Sequence, residues 1–128
     1  MRNRVVLVIA TFSALLGCSG NSPTYGGGGG GNACIPTSTQ VCMMNLAFNP
    51  SNLTIGHGTT VTWKNGDRVN HTVANAVGSA DSLDSGFIAG GGTFSHTFAT
   101  PGTFNYYCTV HGADGNPPTG MHGTITVQ

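Results

Sequence analysis

From Thr39 to the end of the chain, apolar residues recur at every second position in short runs broken by glycine, proline and asparagine. Val61 and Trp63 alternate with Thr60 and Thr62. Phe94, His96 and Phe98 share one parity while Thr93, Ser95 and Thr97 take the other. Phe104, Tyr106 and Cys108 repeat the pattern, as do Ile125 and Val127. A period of two marks strands with one face buried. The pattern predicts strands over Val41–Phe48, around Leu53 and Ile55, around Val61 and Trp63, over His71–Ala76, around Phe94–Phe98, through Phe104–Cys108, and over Thr124–Gln128. Asn49-Pro50-Ser51, Gly56-His57-Gly58, Asn65-Gly66-Asp67 and Pro101-Gly102 are turn signals between them. Val77 to Gly92 is irregular and polar. No segment shows a sustained helical period. Seven or eight short strands with regular turns predict an all-β fold, a β-sandwich or small barrel.

The first residues follow a different pattern. Arg2 and Arg4 precede an apolar run from Val5 to Leu16, too short for a bilayer core that needs about 20 residues. A basic start and a short apolar stretch describe an export signal. Leu15-Leu16-Gly17-Cys18 resembles the bacterial lipoprotein signal, in which cleavage exposes a cysteine that is then lipid-modified. Residues 1–17 are therefore expected to be a signal peptide and Cys18 the lipidation site. Residues 18–33 contain six consecutive glycines, Gly26 to Gly31, and are expected to be a linker with an r.m.s. reach of roughly 20 Å. Residues 34–128 are the folded head. The expected localisation is exported, lipid-anchored at the cell envelope, periplasmic or at the outer cell surface.

Composition narrows function. Charged residues are 6% of the chain and formal net charge is zero. With no basic stripe to neutralise phosphates, nucleic acid is not an expected partner. The four acids, Asp67, Asp81, Asp84 and Asp114, are all aspartates. In the exported part only Lys64 and Arg68 oppose them, for a net charge of 2 − 4 = −2.

There are four cysteines: Cys18, Cys34, Cys42 and Cys108. Export places them where disulfides persist. One disulfide between Cys34 and Cys42 is the simplest account of that pair, with free thiols or a thiolate metal site as alternatives. Cys108 is then left over and asks for an explanation.

Cys108-Thr109-Val110-His111 supplies one. It places a thiol and an imidazole at the end of a strand. Met121 follows ten positions later, before the last strand, and His71 opens an earlier one. Two imidazoles, a thiolate and a weak thioether form the donor set of blue-copper electron-transfer sites.

The stretches Val61-Thr62-Trp63-Lys64-Asn65, His71-Thr72-Val73, Asp84-Ser85-Gly86, Pro101-Gly102-Thr103-Phe104-Asn105-Tyr106-Tyr107-Cys108 and Met121-His122-Gly123-Thr124-Ile125-Thr126-Val127 make the chain from about Val41 to Gln128 resemble the cupredoxins of the plastocyanin type. The resemblance implies a cupredoxin-like Greek-key β-sandwich. It also implies one type 1 copper ion bound by His71, Cys108, His111 and Met121. Two departures stand out. Nine residues, Gly112 to Gly120, separate His111 from Met121, where the family has only a few. Thr72 stands where many plastocyanins have an asparagine that braces the cysteine loop.

Other candidates have plainer readings. His96 is expected to be a satisfied edge-of-core histidine, His57 and His122 surface histidines, and Met43 and Met44 hydrophobic filling. Tyr107, preceding the cysteine, is either a second electron exit, as the resemblance implies, or a surface aromatic. The leading expectation is a monomeric, membrane-tethered carrier cycling Cu(II)/Cu(I) between redox proteins of the cytochrome or oxidase type. It would meet them through brief apolar docking around His111, with Gly112, Ala113, Pro117 and Pro118 supplying the patch. The alternative is a copper-binding module for storage, delivery or sensing. An enzyme is not expected: no two of the five histidines form the His-x-His pairs of a trinuclear copper site.

Overall fold

The computed structural model describes residues 33–128. The signal peptide, the lipidation site Cys18 and all of the glycine linker but Ala33 lie outside them. The described residues form eight strands and no helix: β1 (Gln40–Met44), β2 (Ala47–Asn49), β3 (Asn52–Ile55), β4 (Thr59–Asn65), β5 (Ala74–Asn75), β6 (Thr93–Phe98), β7 (Gly102–Ala113) and β8 (Thr119–Val127). They build two four-stranded sheets, ordered β2-β1-β4-β6 and β3-β8-β7-β5. β1 runs parallel to β4 and β3 parallel to β8, whereas the other ladders are antiparallel.

The alternation seen in the sequence becomes the core. β4 buries Val61, Trp63 and Asn65, β7 buries Phe104, Tyr106 and Cys108, and β8 buries Met121, Ile125 and Val127. Trp63 of one sheet meets Tyr106 of the other edge-to-face, with ring centroids 5.4 Å apart. Phe98 of β6 packs on Phe104 of β7 at 5.0 Å. These aromatic contacts bridge the sheets and combine large burial with preferred ring geometry. Cys34 and Cys42 are joined in a disulfide, which ties the segment before β1 to that strand.

Two expected strands differ in the structure. Val41–Phe48 is a hairpin, not one strand: Asn45 and Leu46 take φ of 56° and 58° and turn the chain between β1 and β2. The apolar run Val41–Phe48 hides this, because Leu46 sits exposed in the turn. The segment His71–Ala76 keeps only Ala74–Asn75 as strand. His71 instead pairs with Ile88, through His71 N–H to Ile88 O at 3.1 Å and Ile88 N–H to His71 O at 2.8 Å. The irregular, polar segment 77–92 thus serves as the partner that holds His71 in place.

Candidate metal centre

The site lies at one end of the sandwich, where β7 and β8 lose their regular pairing. Tyr107 faces His122, but the next paired residues are Gly112 and Gly120. Four residues of β7, Cys108 to His111, therefore bulge opposite a single residue of β8, Met121. A bulge re-aims side chains that a regular ladder would point up and down in turn. Here it brings Cys108 and His111 to one place.

Beyond the bulge the strands pair again, which explains how the chain accommodates nine residues between His111 and Met121. The added residues lengthen the β7–β8 hairpin rather than displacing Met121. Two glycines allow it. A Cβ on Gly112 would lie 2.8 Å from the Met121 carbonyl oxygen and 2.9 Å from that of Thr119. Gly120 has φ +71°, and a Cβ there would lie 2.7 Å from the His111 carbonyl oxygen. Met121 is buried, on the same face of β8 as Gly123 and Ile125.

His71 arrives from the other side. Its Nδ1 lies 3.1 Å from His111 Nδ1, and the Cys108 Sγ lies 3.7 Å from His71 Nδ1 and 3.6 Å from His111 Nδ1. A triangle with these sides has a point about 2 Å from all three atoms, close to metal–imidazole bonds of about 2.0–2.1 Å and metal–thiolate bonds of about 2.3 Å. His71 and Cys108 are fully buried and His111 half-buried. Cys108 is the free cysteine among the described residues, so its sulfur is available as a ligand. A soft thiolate and one imidazole from the β7 bulge, with a second imidazole from the His71 segment, fit one copper ion by donor chemistry and spacing.

Around the triangle, backbone and side chains fix each donor. Thr72 N–H points at the Cys108 sulfur at 3.4 Å. The Thr72 hydroxyl oxygen accepts from Thr109 N–H at 2.8 Å and lies 3.0 Å from the Thr109 hydroxyl. Thr72 thereby ties the His71 segment to the cysteine loop, as a brace shorter than an asparagine. His71 Nε2 lies 2.9 Å from Asp67 Oδ2. The Asp67 carboxylate also accepts from Asn45 N–H at 2.8 Å and Leu46 N–H at 3.0 Å. Partial burial raises the Asp67 pKa, but the Leu46 and Asn45 amides and the His71 ring outweigh it and hold the carboxyl below its ordinary value. Buried Asn65 donates to the carbonyls of Val69 and Ile88, both at 2.8 Å, and so fastens the loop before His71 to the segment that pairs with it.

The remaining candidates fall where the alternation put them. His96 lies 2.7 Å from Asp81 and is a satisfied histidine at the core edge. His57 and His122 are exposed. Tyr107 is half-buried on the face opposite Cys108, across the ladder from His122. Of the expected apolar patch, Ala113 and Pro117 are exposed and Gly112 is half-buried, but Pro118 is buried and drops out of it. Larger exposed apolar side chains include Leu46, Val69, Phe87 and Val110, with Phe87 74% exposed. Each lies on a segment that carries or touches a donor: Leu46 bonds Asp67, Val69 and Phe87 flank the His71–Ile88 pair, and Val110 precedes His111. Sequence reasoning missed the roles of Asp67 and Asn65. Asp67 and His71 are four apart, a spacing that carries geometric meaning only in a helix.

Comparison with known proteins agrees with this geometry. Residues 36–128 match the copper-binding proteins of the plastocyanin/azurin family. Plastocyanin of Scenedesmus fuscus is 37% identical over 91 residues, spanning 65% of this chain and 88% of its own. The chloroplastic plastocyanin of Oryza sativa subsp. indica is 34% identical over 94 residues, 65% of this chain, and the match spans 56% of that protein's length. Among solved structures, an amicyanin variant in its Cu(I) form superposes with a TM-score of 0.60 at 26% identity, covering 70% of this chain and 80% of its own. With the folded head matched almost end to end and a triad of two imidazole nitrogens and one thiol sulfur assembled at its tip, this chain belongs to the plastocyanin/azurin family of copper-binding proteins.

Proposed function

We propose that this chain is a membrane-tethered type 1 copper electron carrier, in which His71, Cys108, His111 and Met121 would hold the ion. The observation that carries the reading is the triad itself, with three donor atoms held 3.1–3.7 Å apart by hydrogen bonds from neighbouring backbone and side chains. Bound copper supplies a one-electron Cu(II)/Cu(I) couple. The chain's own part is to keep the donors still. Thr72 fixes the sulfur and its loop, the Ile88 pairing fixes the His71 backbone, and the Gly112–Gly120 pairing closes the bulge behind His111. A site that does not rearrange between oxidation states exchanges electrons with little reorganisation. The half-buried His111 is the ligand nearest solvent and the natural exit.

Exposed Leu46, Val69, Phe87 and Val110 are the apolar side chains that docking would use. With so few charges on the chain, docking rests on brief apolar contact with redox proteins of the cytochrome or oxidase class rather than on long-range steering. Tyr107, on the far face of the cysteine strand, is the candidate second exit. Cys18 carries the lipid, residues 18–33 are the tether, and the head works as a monomer at the cell envelope.

The test is Cu(II) addition to the full chain. An intense visible thiolate-to-copper band and narrow hyperfine splitting in electron spin resonance are expected, both lost in Cys108→Ala. Absence of the band in the wild-type chain overturns the reading. Fast electron self-exchange with slow loss of Cu(I) to a chelator identifies a carrier; rapid loss to the chelator identifies a delivery or storage module instead.

A further inference from the structure

The Asp67 carboxylate stands outside the donor triangle, yet three elements converge on it. Its Oδ2 lies 2.9 Å from His71 Nε2 and 3.0 Å from Leu46 N, and its Oδ1 accepts from Asn45 N–H at 2.8 Å. Asp67 N–H in turn donates to Asn65 Oδ1 at 2.9 Å, which fixes the backbone that presents the carboxylate. Asn45 and Leu46 are the two non-glycine residues of positive φ among the described residues. Their N–H groups converge on one anion because the turn is left-handed at both positions. His71 itself is fully buried, so solvent does not compete for its Nε2.

A neutral imidazole has one N–H and one bare nitrogen, and the partner of one nitrogen decides the role of the other. An ionised carboxylate only accepts hydrogen bonds. Facing it, His71 Nε2 must carry the proton, and Nδ1, 3.7 Å from the Cys108 sulfur, is left bare toward the triangle. Carboxylate–histidine–metal arrangements act this way, fixing the tautomer and ring plane and raising the basicity of the ligand nitrogen. A negative charge behind a ligand also favours the more highly charged metal.

We infer that Asp67 is a positioning residue for the metal centre: held by the β1–β2 turn, it locks His71 in the Nε2–H tautomer and couples that exposed turn to the first ligand. The inference rests on the copper-site reading above. It adds an anionic support to His71 and links the backbone of exposed Leu46 to the ligand through one side chain.

Asp67→Asn tests it in the full chain, because the amide keeps the shape and one acceptor oxygen but loses the charge. The expected result is a copper affinity reduced by about 10–100-fold, a raised reduction potential, and a thiolate band that is retained. Nitrogen-15 NMR of the metal-free wild-type chain is expected to show His71 with a protonated Nε2 and a bare Nδ1, and Asp67→Asn to populate the other tautomer. Wild-type affinity and potential in a folded Asp67→Asn chain would mean that the carboxylate serves the hairpin alone, and the inference falls. If Asp67→Asn does not fold, the wild-type tautomer decides: a protonated Nδ1 on His71 overturns the proposal by itself. Because that measurement needs no copper, it separates failure of this inference from failure of the copper reading.

Discussion

Thr72 and Thr109, 37 residues apart in the chain, are joined by two hydrogen bonds: Thr109 N–H to the Thr72 hydroxyl oxygen at 2.8 Å, and hydroxyl to hydroxyl at 3.0 Å. One residue before Thr72 is His71 and one before Thr109 is Cys108, so this pair ties together the two segments that carry the donors. Thr72→Val keeps the shape and removes both bonds. We expect a stability loss of about 0.5–1.5 kcal/mol per lost bond and faster release of copper to a chelator. Thr72→Asn should recover the slow release, since a longer amide reaches the same backbone. Denaturant melts and chelator kinetics on the two variants check this; equal release rates for Thr72→Val and the wild type would remove the brace.

Gly120 and Gly58 make a controlled comparison. Both have positive φ, +71° and +79°, but a Cβ on Gly58 meets nothing within 4 Å while one on Gly120 would strike the His111 carbonyl. Alanine at either site carries a left-handed backbone cost of about 1–2 kcal/mol. Only Gly120→Ala should also displace His111 and alter the copper spectrum. Gly58→Ala should lose stability with an unchanged spectrum. A normal spectrum in Gly120→Ala would show that the hairpin beyond the bulge does not set the site.

Met121→Leu is a volume-conserving change at a buried position, where such swaps cost less than about 1.5 kcal/mol. With Met121 as axial ligand, the variant retains its thiolate band and shows a higher reduction potential, because a weak sulfur contact is withdrawn from Cu(II). Protein-film voltammetry on both proteins decides the matter; an unchanged potential excludes axial ligation.

The pair His96–Asp81 gives a pH dependence whose sign follows from the geometry. His96 lies 2.7 Å from the Asp81 carboxylate, and this hydrogen bond, against the opposing effect of burial and with help from Ser82 N–H, holds the Asp81 pKa below its ordinary 3.8. The folded chain therefore releases that proton at lower pH than the unfolded chain. The contribution is fully present above the unfolded value of 3.8 and disappears as pH falls through the folded one. Denaturant melts of wild type and Asp81→Asn should differ at about pH 5 and converge toward about pH 2. A difference that grows on acidification contradicts the assignment.

The Cys34–Cys42 disulfide closes a short ring against buried β1. In the loop-entropy description so small a ring contributes about 2–3 kcal/mol. Cys34→Ala with Cys42→Ala should lower stability by that amount and leave the copper spectrum intact, because neither residue belongs to the donor triangle. A spectral change would tie the first strand to the site.

The sequence by itself determined the strand class, the buried parity of Val61, Trp63, Phe104, Tyr106 and Ile125, and the three donors His71, Cys108 and His111. Side-chain parity is a local property of extended chain, and soft ligands are recognisable by atom type wherever they sit. What the tertiary structure alone decided was how the donors meet and what holds them. The bulge opposite Met121, the Thr72–Thr109 link, the Ile88 support of His71 and the Asp67 carboxylate beneath it join segments that lie far apart in the chain or cross turns whose backbone no periodicity announces. For the same reason Val41–Phe48 reads as one strand until Asp67 is seen gathering the N–H groups of Asn45 and Leu46. Hydrophobic alternation specifies which face is buried; only the packed chain specifies which polar atom waits there.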